Sequence, residues 1–275
     1  MDLATIIGLI VGMVTIILVM VLDGGSPAEL FAVPQAILLI IAGSLSATTI
    51  TVPLRIIMRL PVLVMKAVLE VSFDSAAAIE TLAAMADKAR REGLLALEEE
   101  SKKIKDPFML RGIMLVVDGI DPAQVEAILE NNIHHMRERH KQCYGLFTAA
   151  GGFAPTFGII GTVMGLISVL KQLDDPTKLA GSIASAFLAT LWGLLTANLI
   201  YLPLGAKLKS KSEEEIAYRT LLMEGILAIQ AGENPRVLKE KLYAYLPPKA
   251  NEKEGKEKQQ KPKAVKADAK AKAEA

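Results

Sequence analysis

The sequence predicts an all-α integral membrane protein with four transmembrane helices, the last two of which extend into a helical cytoplasmic domain. Hydrophobic residues make up 52% of the 275 residues and aromatic residues only 5%, so the apolar content is aliphatic, as lipid-facing helices prefer. Four stretches contain no Asp, Glu, Lys, Arg or His: residues 3–22, 30–54, 142–170 and 179–206. A helix needs roughly 20 apolar residues to cross a bilayer, so each stretch is long enough.

The first two predicted spans and the short loop between them occupy residues 1–54. Residues 3–22 differ from a signal peptide because no basic segment precedes them. The sequence at 23–27, Asp-Gly-Gly-Ser-Pro, is a turn rather than a small-residue cleavage site. We therefore expect a retained membrane helix.

Residues 55–141 are predicted to form a cytoplasmic helical domain. Ser72 and Asp74 are candidate N-caps for a helix over 75–91. Its apolar stripe consists of Ile79, Leu82, Ala83 and Ala86. Gly93 interrupts this helix, which we expect to resume over 94–104. Asp106-Pro107 then marks the start of a further helix.

Two long helices are predicted to carry the third and fourth spans, residues 142–206. Asp121-Pro122 and Asp175-Pro176 each combine a capping carboxylate with a proline at the first helical position. The first helix is expected to run unbroken into the third span, and the second to continue through the extension 207–248 as far as Gln230. The tail 249–275 is rich in Lys, Ala and Glu and is predicted to be disordered. It suits either a solubilising tail or contact with anionic lipid.

The distribution of basic residues predicts the orientation. Residues 55–141 hold 13 of the 31 Lys and Arg residues, and the segment after 206 holds 16. The loop 23–29 holds none, and the loop 171–178 only two. Because cytoplasmic loops carry the excess of Lys and Arg, both termini and the large middle segment are predicted to be cytoplasmic.

The predicted spans contain hydroxyl and small residues but no Asp, Glu, Lys, Arg or His. If cations cross here, a partner must supply the carboxylate. The alternative is that the hydroxyls only join helices. Small residues at Gly158, Gly161 and Gly165, and at four-residue steps from Gly181 to Gly193, predict close helix contacts.

Several other classes of function lack support in the sequence. No P-loop, paired cysteine or nucleophile motif is present, so we do not expect an enzyme or a cofactor. His134, His135 and His140 do not share one helix face, which disfavours a metal site. Basic residues are balanced by acids and lack interleaved aromatics, which disfavours nucleic-acid binding.

Four spans, a large loop after the second, and the run Pro155-Thr-Phe-Gly-Ile-Ile-Gly-Thr-Val-Met-Gly-Leu resemble the motility protein A family. These are the MotA/PomA subunits of the bacterial flagellar stator, and the resemblance extends from Met1 to about Pro248. It implies a subunit of the inner membrane that forms a homo-oligomer, five A subunits around two B helices. The B-type partner would contribute one transmembrane helix with an essential Asp and a peptidoglycan-binding domain.

The resemblance also implies roles for particular residues. Arg90-Arg-Glu-Gly-Leu-Leu-Ala-Leu-Glu98 is similar to the segment of the family that contacts the rotor switch protein through charged groups. Arg90 and Glu98 match its charged positions, and Arg91 adds a second basic group. A solvated helical turn is the alternative, since exposed ion pairs contribute only about 0–1 kcal/mol each.

Four positions in the spans match family residues as well. Pro155 and Pro203 match two prolines linked to conformational coupling, although a static kink is equally compatible with a proline inside a helix. Thr190 matches a threonine that faces the ion path. Thr162 matches a position that is Thr in sodium-type stators and often Ala in proton-type ones. The resemblance thus favours sodium over the proton as the transported cation.

Two other functions remain open at the level of sequence. One is an energiser of the ExbB/TolQ type, which drives envelope transport with protons but usually has three spans and a large loop after the first. The other is a passive membrane scaffold without ion flux. The fourth span and the segment 90–98 favour the stator interpretation over the energiser, and loss of function in Thr190→Ala or in variants of Pro155 would distinguish a stator from a scaffold.

Overall fold

The computed structural model describes residues 3–69, 72–171 and 176–246. Two compact units divide them: unit 1 consists of Met1–Val71 and Arg137–Ser212, and unit 2 of Ser72–Met136 and Glu213–Ala275. Four helices are long and apolar enough to cross a membrane: Leu3–Leu22, Pro34–Thr51, Pro122–Leu170 and Leu179–Gln230. The predicted disordered tail, 249–275, and Asp175 lie outside the described residues.

Unit 1 begins with the first two spans. Helix α1 (Leu3–Leu22) contains no buried residue. A short helix α2 (Pro27–Phe31) follows the turn, and α3 (Pro34–Thr51) is the second span. Prediction and structure differ here, because the uncharged stretch 30–54 is not one helix. Val33 precedes a proline, which disfavours the α conformation, and it adopts φ −121° and ψ 58°.

Two short helices follow the second span in unit 1, α4 (Leu54–Ile57) and α5 (Leu60–Val68). The ammonium group of Lys211 caps the C-terminus of α5. It donates hydrogen bonds to the carbonyl oxygens of Lys66, Ala67 and Leu69, at 2.8, 2.8 and 2.6 Å. A cation at a helix C-terminus satisfies carbonyls that have no partner within the helix.

The long helices match the prediction for the third and fourth spans. Helix α9 (Pro122–Leu170) is unbroken, and Asp121 accepts a hydrogen bond from the backbone N–H of Ala123 at its start. Helix α10 (Pro176–Leu195) passes through a π-helical stretch (Thr196–Tyr201) into α11 (Leu202–Gln230). The sequence predicted the continuity of this helix but not the π-helical turn.

Unit 2 is a helical bundle with its own core. Asp74 caps α6 (Ser75–Glu92), and the predicted stripe from Ile79 to Ala86 is buried. After Gly93 come a 3₁₀ turn (Leu94–Ala96) and α7 (Leu97–Ser101), so the predicted helix 94–104 is shorter and partly 3₁₀. Asp106 caps α8 (Pro107–Val117), and Asn234 caps α12 (Pro235–Tyr243), which packs on α6.

Candidate functional site

The first candidate site lies in unit 1, where α9 and α10 bring the two predicted threonines together. The hydroxyl groups of Thr162 and Thr190 are in direct hydrogen-bond contact, although the residues are 28 positions apart in the chain. Thr162 Oγ1 also lies 3.0 Å from the carbonyl oxygen of Ala186 and 3.1 Å from that of Gly158. Both threonine side chains are half-buried.

This arrangement places two hydroxyl and two carbonyl oxygens in one small region. Each hydroxyl has a single proton and two lone pairs, so lone pairs remain available after the hydrogen bonds are made. Neutral oxygens of this kind can replace part of the hydration shell of a cation. They cannot neutralise its charge, and residues 142–170 and 179–206 contain no Asp, Glu, Lys, Arg or His. The arrangement can therefore orient a cation, but an anionic group must come from elsewhere.

Close backbone contact between the two helices positions the threonine pair. A methyl group at Gly193 would lie 2.9 Å from the carbonyl oxygen of Ala154 and 3.0 Å from the Cα of Gly158. A methyl group at Gly158 would lie 3.2 Å from the Cα of Thr190. The glycines therefore allow the backbones to touch beside the threonine pair, as small residues do in membrane helices. In contrast, no atom of the described residues lies within 4 Å of the position that a Cβ at Gly181 would take, so the predicted small face is used only in part.

The structure places the two predicted prolines near the same part of unit 1. Pro155 lies inside α9 and is half-buried, whereas Pro203 is exposed and is the second residue of α11. Having no N–H, they cannot donate to the carbonyls of residues 151 and 199. A methyl group at Gly151, four residues before Pro155, would lie 2.6 Å from the side chain of Leu202, which precedes Pro203. Their role in conformational coupling stays a prediction.

The π-helical stretch before Pro203 was missed by sequence reasoning. Such stretches are rare and occur often at functional sites. Thr196 is buried, and its hydroxyl donates to the carbonyl of Trp192 within the same helix. Nothing in the uncharged run 194–202 signals an additional residue in the turn, although Pro203 directly follows it.

The second candidate site lies in unit 2, at the junction of α6 and α7. Arg90 and Arg91 are exposed in the last turn of α6, and Glu98 is exposed in the first turn of α7. Arg91 forms an exposed ion pair with Asp87 at 2.9 Å. Basic residues at a helix C-terminus and acidic residues at an N-terminus interact favourably with the helix dipoles. The predicted charges therefore also fit their local positions.

A group of three residues that the sequence did not reveal connects the two helices at this junction. Glu100 accepts hydrogen bonds from Lys103 at 2.9 Å and from Lys88 at 3.1 Å. The hydrogen bond from Lys103, followed by that from Lys88, holds the pKa of Glu100 below its ordinary value. In turn, the hydrogen bond to Glu100 raises the pKa of Lys88. Lys88 and Glu100 are 12 positions apart across the Gly93 turn, so no helical spacing indicates the contact.

The three histidine residues for which the sequence disfavoured a metal site lie in two different environments. The rings of His134 and His135 lie 5.7 Å apart, and His140 Nδ1 lies 3.0 Å from the hydroxyl of Ser212. Among the residues that the structure describes, no group of three or more His, Cys, Asp or Glu residues could hold a metal ion.

Comparison with known proteins identifies the family. Residues 100–220 match the MotA/TolQ/ExbB proton channel family. The chain is 39% identical to motility protein A of Bacillus subtilis over 253 residues, which cover 90% of this chain and 92% of that protein. The chain belongs to the motility protein A family. The family and the fold class predicted from the sequence are thereby confirmed.

Two further similarities lie within the motility protein A family. The chain is 39% identical to the chemotaxis protein PomA of Vibrio alginolyticus over 246 residues, covering 90% of this chain and 96% of that protein. It also matches a chain in the structure of the flagellar MotAB stator complex from Bacillus subtilis with a TM-score of 0.85 and 37% identity. That match covers 90% of this chain and 97% of the other. The ExbB/TolQ alternative shares the wider channel family, whereas these full-length relatives are motility proteins.

Proposed function

We propose that this chain is the A-type subunit of a flagellar stator, which couples the inward flow of a cation to torque on the rotor switch protein. The observation that carries the proposal is the oxygen cluster of Thr162 and Thr190 in spans without any charge. A channel for cations needs ligands along its path and a counter-charge, and this chain supplies only the ligands.

A B-type subunit supplies the counter-charge in this proposal. Its single transmembrane helix carries an aspartate, and its peptidoglycan-binding domain anchors the assembly outside the membrane. The similarity to a chain of a MotAB stator complex supports such a partner. The A subunits form a ring, a pentamer, around two B helices. Helix α1 suits a ring that sits in lipid, because none of its residues is buried within the chain.

Sodium is the transported ion that the site favours over the proton. Thr162 provides an oxygen where an alanine would offer only a methyl group. It is also in contact with three other oxygens. A partly dehydrated sodium ion needs several oxygen ligands, whereas a proton can pass along a carboxylate and water. The chain is equally identical, at 39%, to PomA and to motility protein A of Bacillus subtilis, so the preference for sodium rests on Thr162.

Torque transmission is assigned to Arg90, Arg91 and Glu98, and conformational coupling to Pro155 and Pro203. The three charged residues are exposed at one junction of unit 2, which suits a surface that contacts the rotor. Exposed charge pairs are weak, and weak contacts can form and release at each step. In the inner membrane, unit 2 and both termini would face the cytoplasm.

The test uses cells in which this chain is the only stator A subunit. Thr190→Ala should reduce swimming speed by at least about fivefold, since removing a group that orients the ion costs roughly 1–3 kcal/mol. Thr190→Ser should retain most of the speed because the hydroxyl oxygen remains. Thr15→Ala is the matched control, since the Thr15 hydroxyl bonds only to its own helix at the exposed α1.

The same cells distinguish the two ions. Swimming of the wild type should scale with external sodium and persist with a protonophore. Swimming that ignores sodium and stops with the protonophore would refute the sodium assignment. Equal speeds for Thr190→Ala and Thr15→Ala, with both proteins in the membrane, would instead support a passive scaffold.

A further inference from the structure

Leu95 is the most exposed large hydrophobic residue among the described residues of unit 2. It is 73% exposed, compared with 56% for Val237 and 47% for Tyr245. Its neighbours in the chain behave differently, because Leu97 is fully buried and Leu94 packs partly buried against the core of unit 2. The exposure of Leu95 is therefore specific to that position.

The local backbone explains why Leu95 faces solvent. Gly93 ends α6 with φ +88°, a conformation that favours glycine, and the 3₁₀ turn Leu94–Ala96 follows. Side chains three positions apart eclipse each other in a 3₁₀ turn, so Leu94 and Leu97 share the inward side. Leu95 is consequently held on the opposite side.

Charged residues of opposite sign flank Leu95 along the chain. Arg90 and Arg91 precede it at the end of α6, and Glu98 and Glu99 follow it in the first turn of α7. All four are exposed. A polyanion or an anionic lipid surface would be repelled by the glutamates. A protein surface with an apolar hollow between an acidic and a basic group would match this pattern.

The hydrogen bonds of Glu100 hold this surface together. Lys88 on α6 and Lys103 after α7 both bind Glu100, and the Ser101 hydroxyl donates to the carbonyl of Glu98 at 2.7 Å. The spacing between the basic and the acidic side of Leu95 is thus set before any partner binds. A surface with fixed spacing loses less conformational entropy on binding than a flexible one.

We propose that Leu95 is the apolar centre of a docking surface formed by Arg90, Arg91, Leu95 and Glu98. Its partner is a protein surface that offers an apolar hollow flanked by an acidic and a basic group. The identity of that partner as the rotor switch protein rests on the proposed function. In this arrangement Leu95 provides contact area, and the charges provide orientation.

Photo-crosslinking in motile cells tests the contact. Benzoylphenylalanine at position 95 of the full-length chain should form a cross-link to the rotor switch protein. The same group at position 237 is the control, since Val237 is also exposed in unit 2 and lies outside the charged junction. The yield at 95 should exceed that at 237 by about tenfold, as expected for a centre of contact.

Torque of tethered cells tests the chemistry. Leu95→Ser should lower the torque severalfold, whereas Leu95→Met should keep most of it because the apolar contact area is similar. Val237→Ser should have no effect. The melting temperature of each purified protein should match the wild type, because both side chains are exposed.

Two outcomes would overturn the inference, and they are distinguishable. If Leu95→Ser keeps full torque while Arg90→Ala reduces it, the surface works through charge alone and the proposed function survives. If position 95 gives no cross-link and neither Leu95→Ser nor Arg90→Ala changes torque, the rotor contact in the proposed function also fails.

Discussion

At the scale of single residues, one methyl group at Gly193 would separate the helices that hold the threonine pair. The Cβ of Gly193→Ala would lie 2.9 Å from a carbonyl oxygen and 3.0 Å from a Cα atom, and backbone atoms cannot turn aside as a side chain can. We expect a loss of roughly 1–3 kcal/mol in stability, as for overpacked cores. Thermal unfolding of the purified protein in detergent measures it, and motility should fall as well.

Gly181→Ala is the matched control for this prediction. Gly181 lies on the same helix, but nothing is within 4 Å of its Cβ position. This variant should unfold at the wild-type temperature or slightly above, because alanine favours helix. Similar losses for both variants would mean that backbone contact at Gly193 does not hold the helices together.

The sequence predicted which residues have side chains suited to the site, but it did not predict which of them are in contact. The hydroxyls of Thr162 and Thr190 stand out because the spans lack charge, but their contact depends on where α9 and α10 cross. Glu98 could be assigned by resemblance. Glu100, the residue that joins α6 and α7, has no sequence signal, since its partner Lys88 lies on another helix.

At the scale of elements, the contact of Lys88 with Glu100 should make the attachment of α7 dependent on pH. The pKa of Glu100 is below its ordinary value of 4.5. A lowered carboxylate pKa stabilises the folded state above the unfolded value, and this contribution is lost as the pH falls through the folded pKa. Lys88→Gln should therefore lower the melting temperature at pH 7, and the difference from wild type should shrink as the pH falls below about 4.5.

Lys102→Gln provides the control for the charge change. Lys102 is exposed in the turn after α7 and precedes Lys103, which binds Glu100. This variant should melt like the wild type at every pH. A difference between Lys88→Gln and wild type that is constant from neutral to acidic pH would show that the contact with Glu100 does not stabilise unit 2.

Two helix starts were predictable because an aspartate that can cap a helix precedes a proline. Asp106 and Asp121 both bind the backbone N–H groups that a helix start leaves without partners. Helix interruptions were harder to predict. The break at Val33 lies inside an uncharged stretch, and hydrophobicity alone does not distinguish one 25-residue helix from two shorter ones.

At the scale of the whole molecule, the distribution of basic residues predicts which segments face the cytoplasm. The test starts from Cys143→Ser, because Cys143 is the only cysteine. In that background, two separate variants each add one exposed thiol. Ser26→Cys places it between the first two spans, and Gln124→Cys places it at the start of α9. A membrane-impermeant maleimide should label Cys at 26 in intact cells, and at 124 only after permeabilisation.

The reverse labelling pattern would show that the orientation is opposite to the proposed one. Unit 2 would then lie outside the cell and could not contact a cytoplasmic rotor. Labelling of both positions in intact cells would mean that the two lie on the same side and that the number of spans between them is even. In the proposed topology one span, α3, separates the two positions, because α1 precedes residue 26 and the third and fourth spans follow residue 124.

The π-helical turn at Thr196–Tyr201 determines which side of the following helix, within unit 1, faces α9. A π-turn holds about one residue more than an α-turn, and one residue corresponds to about 100° of rotation. Gly205 lies against Phe147, 3.2 Å from the position of its absent Cβ. If the same residues formed regular α-turns instead, Gly205 would be rotated by about 100° and would leave its position against Phe147. Deleting any one residue from 196–201 would therefore convert the π-turn into an α-turn and leave Gly205 against α9, whichever side chain was removed.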